Sequence, residues 1–380
     1  MLDAIVVGVG TMGAATCDAL ARRGASVLGL EQFDIPHALG AHHGHSRLFR
    51  TAYFEHPDYV PLLREAFDLW QDLERRTARR LLLVTGVLYV GHEEGELVPR
   101  TLASARAHDV PCETLAPETL ADRFPAFRVP PGFAALLEPH AGLVLPELAV
   151  ATLASEAIRH GGQLRAHERV LDWRDTGTSV LVRARRDPDG QEYEIEARSI
   201  IFCCGAWTSR LAHDLGHRLH VTRQPVAWFG PGEPAAFDLG AFPCWAFESQ
   251  SREFFYGIPI LPSSPGIKVG AHATGRPTDP DLVDRGIHAA DLDPLRRFLA
   301  EHMPTADGPL LGAAVCTYTN SPDGHFIVDR IGARAAIACG FSGHGFKFAP
   351  VIGEILADLA LEGRTSRPAS FLSLQRFGAA

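Results

Sequence analysis

Residues 4–31, AIVVGVGTMGAATCDALARRGASVLGLE, restrict the opening of this chain to one supersecondary unit. Ala4–Val7 is a short apolar run that suits a strand buried on both faces. Gly8, Gly10 and Gly13 follow as G-x-G-x-x-G. The first allows a tight turn, the second a close backbone approach to a pyrophosphate, and the third close contact between helix and strand. Met12 to Arg23 is helical in composition, so its N-terminal amides and dipole face the diphosphate. Ser26–Leu30 reads as the second strand, and Glu31 closes it. An acid there accepts hydrogen bonds from a ribose 2′-hydroxyl and repels a 2′-phosphate. The unit predicts a site for FAD or NAD, and not for NADP.

The other end of the chain carries FSGHGFKF at 341–348, ahead of an apolar helix predicted over Phe348–Leu361. A fold that starts and finishes on one cofactor wraps its chain around it. In between, Leu63, Ala66, Phe67, Trp70 and Leu73 form a helical stripe within 56–80. Leu81–Val90 reads as a strand, 92–142 holds two short helical pieces, and 146–160 is a helix. Ser199–Cys203 is an apolar strand. Residues 220–311 have short β-like runs (His220–Trp228, Glu253–Ile258, Ile267–His272) and one helix, Pro294–His302. The pattern predicts a discontinuous α/β build. Segments 1–82, 143–214 and 312–380 form the βαβ unit, interrupted by a mainly β unit from 83–142 and 215–311.

With 380 residues and 46% apolar content, the chain can bury two cores. A net charge of −9 argues against nucleic acid or an anionic membrane as partner. There is no run of about 18 apolar residues and no signal peptide, so the cytoplasm is the expected location. The seven cysteines show no C-x-x-C pairing, which suits a reducing compartment. No metal is expected: His42 and His43 are adjacent and cannot share one helix face.

Arg47 and Arg50 lie among Leu48, Phe49 and Tyr53. They read either as a solvated charged face or as partly buried guanidiniums that demand an anion. Lys347 sits between Phe346 and Phe348, where an unpaired ammonium is penalised; capping of the last helix is the alternative. Alternation in Ile267–His272 puts Lys268, Gly270 and His272 on one face. Read alone, Cys316 is a buried apolar cysteine.

Several separated motifs then converge: GVGTMG at 8–13, LEQF at 30–33, HHGHSRLFRTAY at 42–53, YGIP at 256–259, IKVGAH at 267–272, CTYT at 316–319, DGHFIVD at 323–329 and GFSGHGFKF at 340–348. In order and rough spacing the chain resembles the monomeric sarcosine oxidase and N-methyltryptophan oxidase family of flavoenzymes. The resemblance implies a glutathione-reductase-type FAD-binding domain interleaved with a mainly antiparallel β substrate domain. It implies oxidation of a secondary amine, with hydrogen peroxide as by-product. It places Gly8, Gly10, Met12, Gly13, Glu31, Gln32, His43, Arg47, Gly343, His344, Gly345 and Lys347 at the cofactor. It makes Cys316 the carrier of FAD, as a thioether on the 8α-methyl group, a chemistry that needs a thiolate with cationic neighbours. Arg50 and Lys347 would clamp the substrate carboxylate, with Tyr256 and Tyr318 as pocket walls. Lys268, His272 and Arg47 would be the catalytic group. Lys268 promotes the reaction with dioxygen, since a fixed positive charge stabilises superoxide in a dry pocket.

Two features depart from the family pattern. His45 stands where a small or acidic residue is expected, and one extra residue lies between Tyr256 and Lys268. The expected substrate is a small N-methyl amino acid, sarcosine first, handled by a monomer with dioxygen as acceptor. N-methyltryptophan, pipecolate and glycated amino acids stay open, as does a dehydrogenase that uses another acceptor. Trp245, Phe247 and Phe255 are the candidates for setting pocket size.

Overall fold

A computed structural model describes residues 1–212, 218–273 and 275–378. Its opening unit is β1 (Leu2–Val7), α1 (Thr11–Arg22) and β2 (Val27–Leu30). These strands belong to a parallel core ordered Ala335–Cys339, Glu192–Phe202, β1, β2, Gln163–Arg165. Ala4, Ile5, Val6 and Val7 are all buried, as a strand covered on both faces requires. An antiparallel hairpin, Glu168–Asp175 with Val180–Arg186, extends this sheet along the first half of Glu192–Phe202. Sequence reading found only the apolar end of that long strand, because Glu192, Glu194 and Glu196 alternate on its exposed side.

Small residues bring the two chain ends together. A Cβ on Gly353 of the final helix, Ala349–Leu361, would lie 2.6 Å from the backbone of Ala15 in α1, so the helices pack at backbone distance. Arg22 and Arg23 both pair with Glu354, and Arg23 Nη1 holds Asp358 Oδ1 at 2.8 Å. The helix Tyr59–Thr77 fixes the turn ahead of the final helix: Trp70 Nε1 donates to the Lys347 carbonyl at 2.9 Å, and the indole stacks on Phe346.

The second large sheet runs Leu310–Asn320, His220–Phe229, Ile267–His272, Phe254–Ile258, Cys244–Glu248, Val87–His92, Phe133–Glu138, Glu113–Leu115. These neighbours are antiparallel except for Cys244–Glu248 on Val87–His92. One face packs Trp245, Phe247 and Phe255 onto Phe298 of the helix Ala289–His302. That helix begins at Ala289 and not at Pro294. The Asp291 carboxylate accepts from the His288 amide at 2.9 Å and caps the start; Pro294 lies inside the helix, where it leaves the Ala290 carbonyl without an i+4 amide donor.

The predicted strand over 81–90 is two strands in two sheets. Leu82–Val84 joins a three-stranded sheet with Gly142–Val144 and Arg47–Phe49, whereas Val87–His92 enters the large sheet. The chain changes sheet at Thr85–Gly86, where Gly86 has φ 74°. The boundary expected at 214/215 falls outside the described residues. No helix among the described residues is long and apolar enough to cross a membrane.

Candidate active site

The glycine turn after β1 opens into a cavity of about 360 Å3. Gly8 takes φ 85°, and a Cβ on Gly13 would lie 1.8 Å from the Gly8 carbonyl oxygen, so Gly13 serves contact between helix and turn and does not line the cavity. Gly8, Gly10, Met12, Glu31 and Gln32 form one part of the wall; Gly343, Gly345, Phe346 and Tyr318 form another. Glu31 Oε2 accepts from the Val9 amide at 2.8 Å and Oε1 from the Phe33 amide at 3.1 Å, which leaves lone pairs free for a further donor. Two buried wall atoms, Glu168 Oε2 and Arg169 Nε, have no hydrogen-bond partner. A glycine-lined cleft at a helix N-terminus, with an acid at the end of the second strand and unpartnered polar atoms in its wall, fits FAD.

A second cavity of about 90 Å3 adjoins the first. Arg47, Tyr318, Gly343 and Phe346 line both. Arg50, Tyr256, His272, His344, Lys347 and Cys316 line the second only. His344, expected at the cofactor, faces this second space. Burial pulls its imidazole down to about 3. Neutral, it takes the Tyr53 hydroxyl on Nδ1 at 2.7 Å and places Nε2 2.9 Å from the Gly324 carbonyl. Lys347 Nζ donates to Tyr53 Oη at 3.3 Å and to the His344 carbonyl at 2.6 Å, and burial holds this amine well below the usual lysine range. Burial likewise draws His272 down to about 4, with its Nδ1 3.5 Å from Tyr318 Oη. Tyr256 pairs in register with Gly270, where a Cβ would lie 2.7 Å from the phenol oxygen; only glycine makes room for that ring.

Arg50 is closed on Glu55 in a bidentate pair, with Nη1 2.9 Å from Oε2 and Nη2 on Oε1. Its guanidinium lies over the Tyr53 and Phe54 rings. Glu55 escaped the sequence reading, although an acid five residues beyond Arg50 in an aromatic run was a usable signal. Burial alone would raise its carboxyl, but Arg50 dominates and brings it to about 2.

Cys316 Sγ lies 3.2 Å from Arg47 Nη2 and 3.4 Å from His43 Nε2. Burial pushes this thiol up, yet Arg47, His43 and Lys268 together bring it down to about 6. In the other six cysteines burial outweighs any cationic neighbour, Lys268 near Cys244 included, and pushes the thiols of Cys17, Cys112, Cys203, Cys204, Cys244 and Cys339 up. His43 lines neither cavity and stands behind Arg47. Lys268 is also set back. Its Nζ donates to the carbonyls of Gly44 at 2.8 Å and Ser46 at 2.9 Å, beneath the Trp228 ring.

Trp245 and Phe247 do not shape the second cavity, because strand alternation turns them into the core and presents Ala246 instead. Of the three aromatics expected there, only Phe255 reaches its wall. The limiting side chains are Phe54 and Phe254, stacked at 5.5 Å, with Leu48 and Leu97.

The family profile described as FAD dependent oxidoreductase matches residues 3–359. The chain belongs to this family. A monomeric sarcosine oxidase of Streptomyces avermitilis is 37% identical, covering 100% of this chain and 98% of the relative. An N-methyl-L-tryptophan oxidase of Salmonella enteritidis is 32% identical, covering 96% of this chain and 95% of the relative. Among solved structures, the open form of NikD, described as an unusual amino acid oxidase essential for nikkomycin biosynthesis, superposes with a TM-score of 0.84 at 28% identity, over 98% of this chain and 97% of that one. This oxidoreductase therefore has full-length kinship with amino acid oxidases, on a mixed α/β fold.

Proposed function

We propose that this flavoenzyme oxidises a small N-methyl amino acid, sarcosine first, to an imine that water hydrolyses to the amine and formaldehyde. Per substrate, one dioxygen and one water are consumed, and one amine, one formaldehyde and one hydrogen peroxide are formed. The observation that carries this reading is the junction of the two cavities at Arg47, Tyr318, Gly343 and Phe346, with Arg50 and Lys347 lining only the smaller one.

FAD, when bound, supplies the two-electron acceptor that dioxygen regenerates. Gly8, Gly10, Met12, Glu31 and Gln32 hold its dinucleotide part, with Gly13 acting through the contact of helix and turn; Gly343, Gly345 and Arg47 surround its reactive end, with His344 on the substrate side and His43 behind Arg47. Cys316 tethers it; the support is a thiol that its neighbours keep largely ionised at neutral pH. Arg50 and Lys347 take the substrate carboxylate, and Tyr256, Tyr318 and His272 confine the amine. Lys268 is the fixed charge on the dioxygen side. The division into a cofactor unit (1–82, 143–214, 312–380) and a substrate unit (83–142, 215–311) is part of the proposal; the two large sheets favour it except at 312–320, where the strand Leu310–Asn320 pairs with His220–Phe229 in the substrate sheet. So are a monomeric state, in line with the name of the Streptomyces relative, and a cytoplasmic location, in line with seven unpaired cysteines.

The test is peroxide output by the purified protein under air across sarcosine, N-methylalanine, N-methyltryptophan, pipecolate and a glycated amino acid. Sarcosine is expected to lead, since the smaller cavity suits it. Absence of peroxide with all five overturns the proposal.

A further inference from the structure

The turn 43–47 is held from two sides. Its carbonyls at Gly44 and Ser46 receive the Lys268 ammonium. Its amides at Gly44 and His45 both donate to one atom, Glu147 Oε1, at 2.7 and 3.0 Å. Gly44 has φ 102° and His45 φ 66°, so both N–H groups turn to the same side and form a concavity that suits an anion. Glu147 projects from the first turn of the helix Pro146–Arg159, far away in sequence. The same turn supplies His43 and Arg47 to Cys316, and one carboxylate oxygen thus braces the whole cationic side of the junction.

We propose that Glu147 is a positioning residue for the reaction with dioxygen: it staples the 43–47 turn and is the lasting counter-charge of Lys268. The proposal rests on the reading of Lys268 given above. The groups that face Lys268 are Arg47, with His43 and His45 on the same turn, Cys316 on the strand Leu310–Asn320, Cys244 on Cys244–Glu248, and Glu147. Burial and Arg47 bring its amine down to about 7, while Cys316 and Glu147 favour the ammonium. Cys244 stays a thiol, pushed up to about 12 by burial. Once Cys316 is a thioether its charge is gone. Among the described residues of this set, Glu147 is then the remaining anion.

The holoenzyme variants E147Q and E147A separate the two roles. Glutamine keeps an acceptor oxygen for both amides and loses the charge; alanine loses both. In stopped-flow measurements of the reduced enzyme with dioxygen, the rate constant falls as pH rises through the Lys268 midpoint. E147Q should move that midpoint down by about one pH unit, a tenfold lower rate constant above both midpoints. Anaerobic reduction by substrate should change little. Hydrogen exchange over peptide 40–48 should show Gly44 and His45 protected in wild type and E147Q, and exposed in E147A. In a K268M background, E147Q should produce no shift. An unmoved pH profile in E147Q beside a slow K268M overturns the role of Glu147 alone. A K268M variant as fast with dioxygen as wild type overturns the reading of Lys268 and this inference with it.

Discussion

The guanidinium of Arg50, in the wall of the cavity proposed to receive a substrate carboxylate, is engaged on both terminal nitrogens by the carboxylate of Glu55. An incoming carboxylate has to exchange for an internal one. The pair keeps a buried charge satisfied until a ligand arrives, since an unpaired guanidinium at this depth is strongly destabilising.

Replacing Glu55 by glutamine weakens the internal competitor while leaving an acceptor oxygen. The Kd of a non-oxidisable carboxylate such as acetate should fall about tenfold, or roughly 1.4 kcal/mol, in a titration read by flavin absorbance. An unchanged or weaker Kd would show that Glu55 does not compete. The sign with pH also follows. Glu55 lies below its ordinary 4.5 at about 2, so it stabilises the fold above pH 4.5 and loses that contribution as pH falls through 2. Wild type should therefore lose more stability than E55Q over that acidic window, as measured by urea midpoints.

Changing Cys316 to alanine removes the proposed tether and leaves the cavity walls. Acid precipitation should give a yellow pellet from wild type and a colourless pellet with yellow supernatant from C316A. Colour retained by the C316A pellet would place the linkage elsewhere or deny it.

Changing Lys268 to methionine should slow reoxidation by dioxygen about 100- to 1000-fold, the scale of removing one preorganised charge, and slow reduction by substrate far less. In wild type the reoxidation rate should decline as pH rises through the midpoint of this amine, which burial holds below the ordinary lysine range. Equal losses in both half-reactions would remove Lys268 from the dioxygen step.

Phe254→Ala should open the smaller cavity at its stacked lid. The ratio of kcat/KM for N-methylphenylalanine over sarcosine should rise about tenfold or more, the scale of pocket discrimination between apolar groups. Trp245→Ala, on the opposite face of the same sheet, should leave the ratio alone and cost about 3–5 kcal/mol of stability. A changed ratio in the tryptophan variant would contradict the facing seen for Trp245.

The cations of the site were legible because their neighbours are apolar: a lysine between Phe346 and Phe348, or two arginines around Leu48 and Phe49, needs an explanation within its own segment. Their anions were mostly not. Glu147 and Glu138 meet the 43–52 segment from distant strands and helices, Glu138 by accepting from the Thr51 and Ala52 amides and the Tyr89 hydroxyl. Such contacts leave no trace in local spacing. Alternation correctly separates Trp245 and Phe247 from Ala246, but it cannot say which face meets the core; the helix Ala289–His302 decides that. The split of 81–90 was hidden for a related reason, since both strands are mostly apolar and only Gly86 marks the change of sheet.

The walls of the smaller cavity have unequal freedom to vary. Arg47 serves both spaces at once, so a change there disturbs cofactor and substrate together. Ala246, Phe254 and Leu97 line only the smaller space and come from elements remote from the glycine turn. Substrate preference can drift along that outer wall, in nature or in the laboratory, while the redox half of the machine stays as it is.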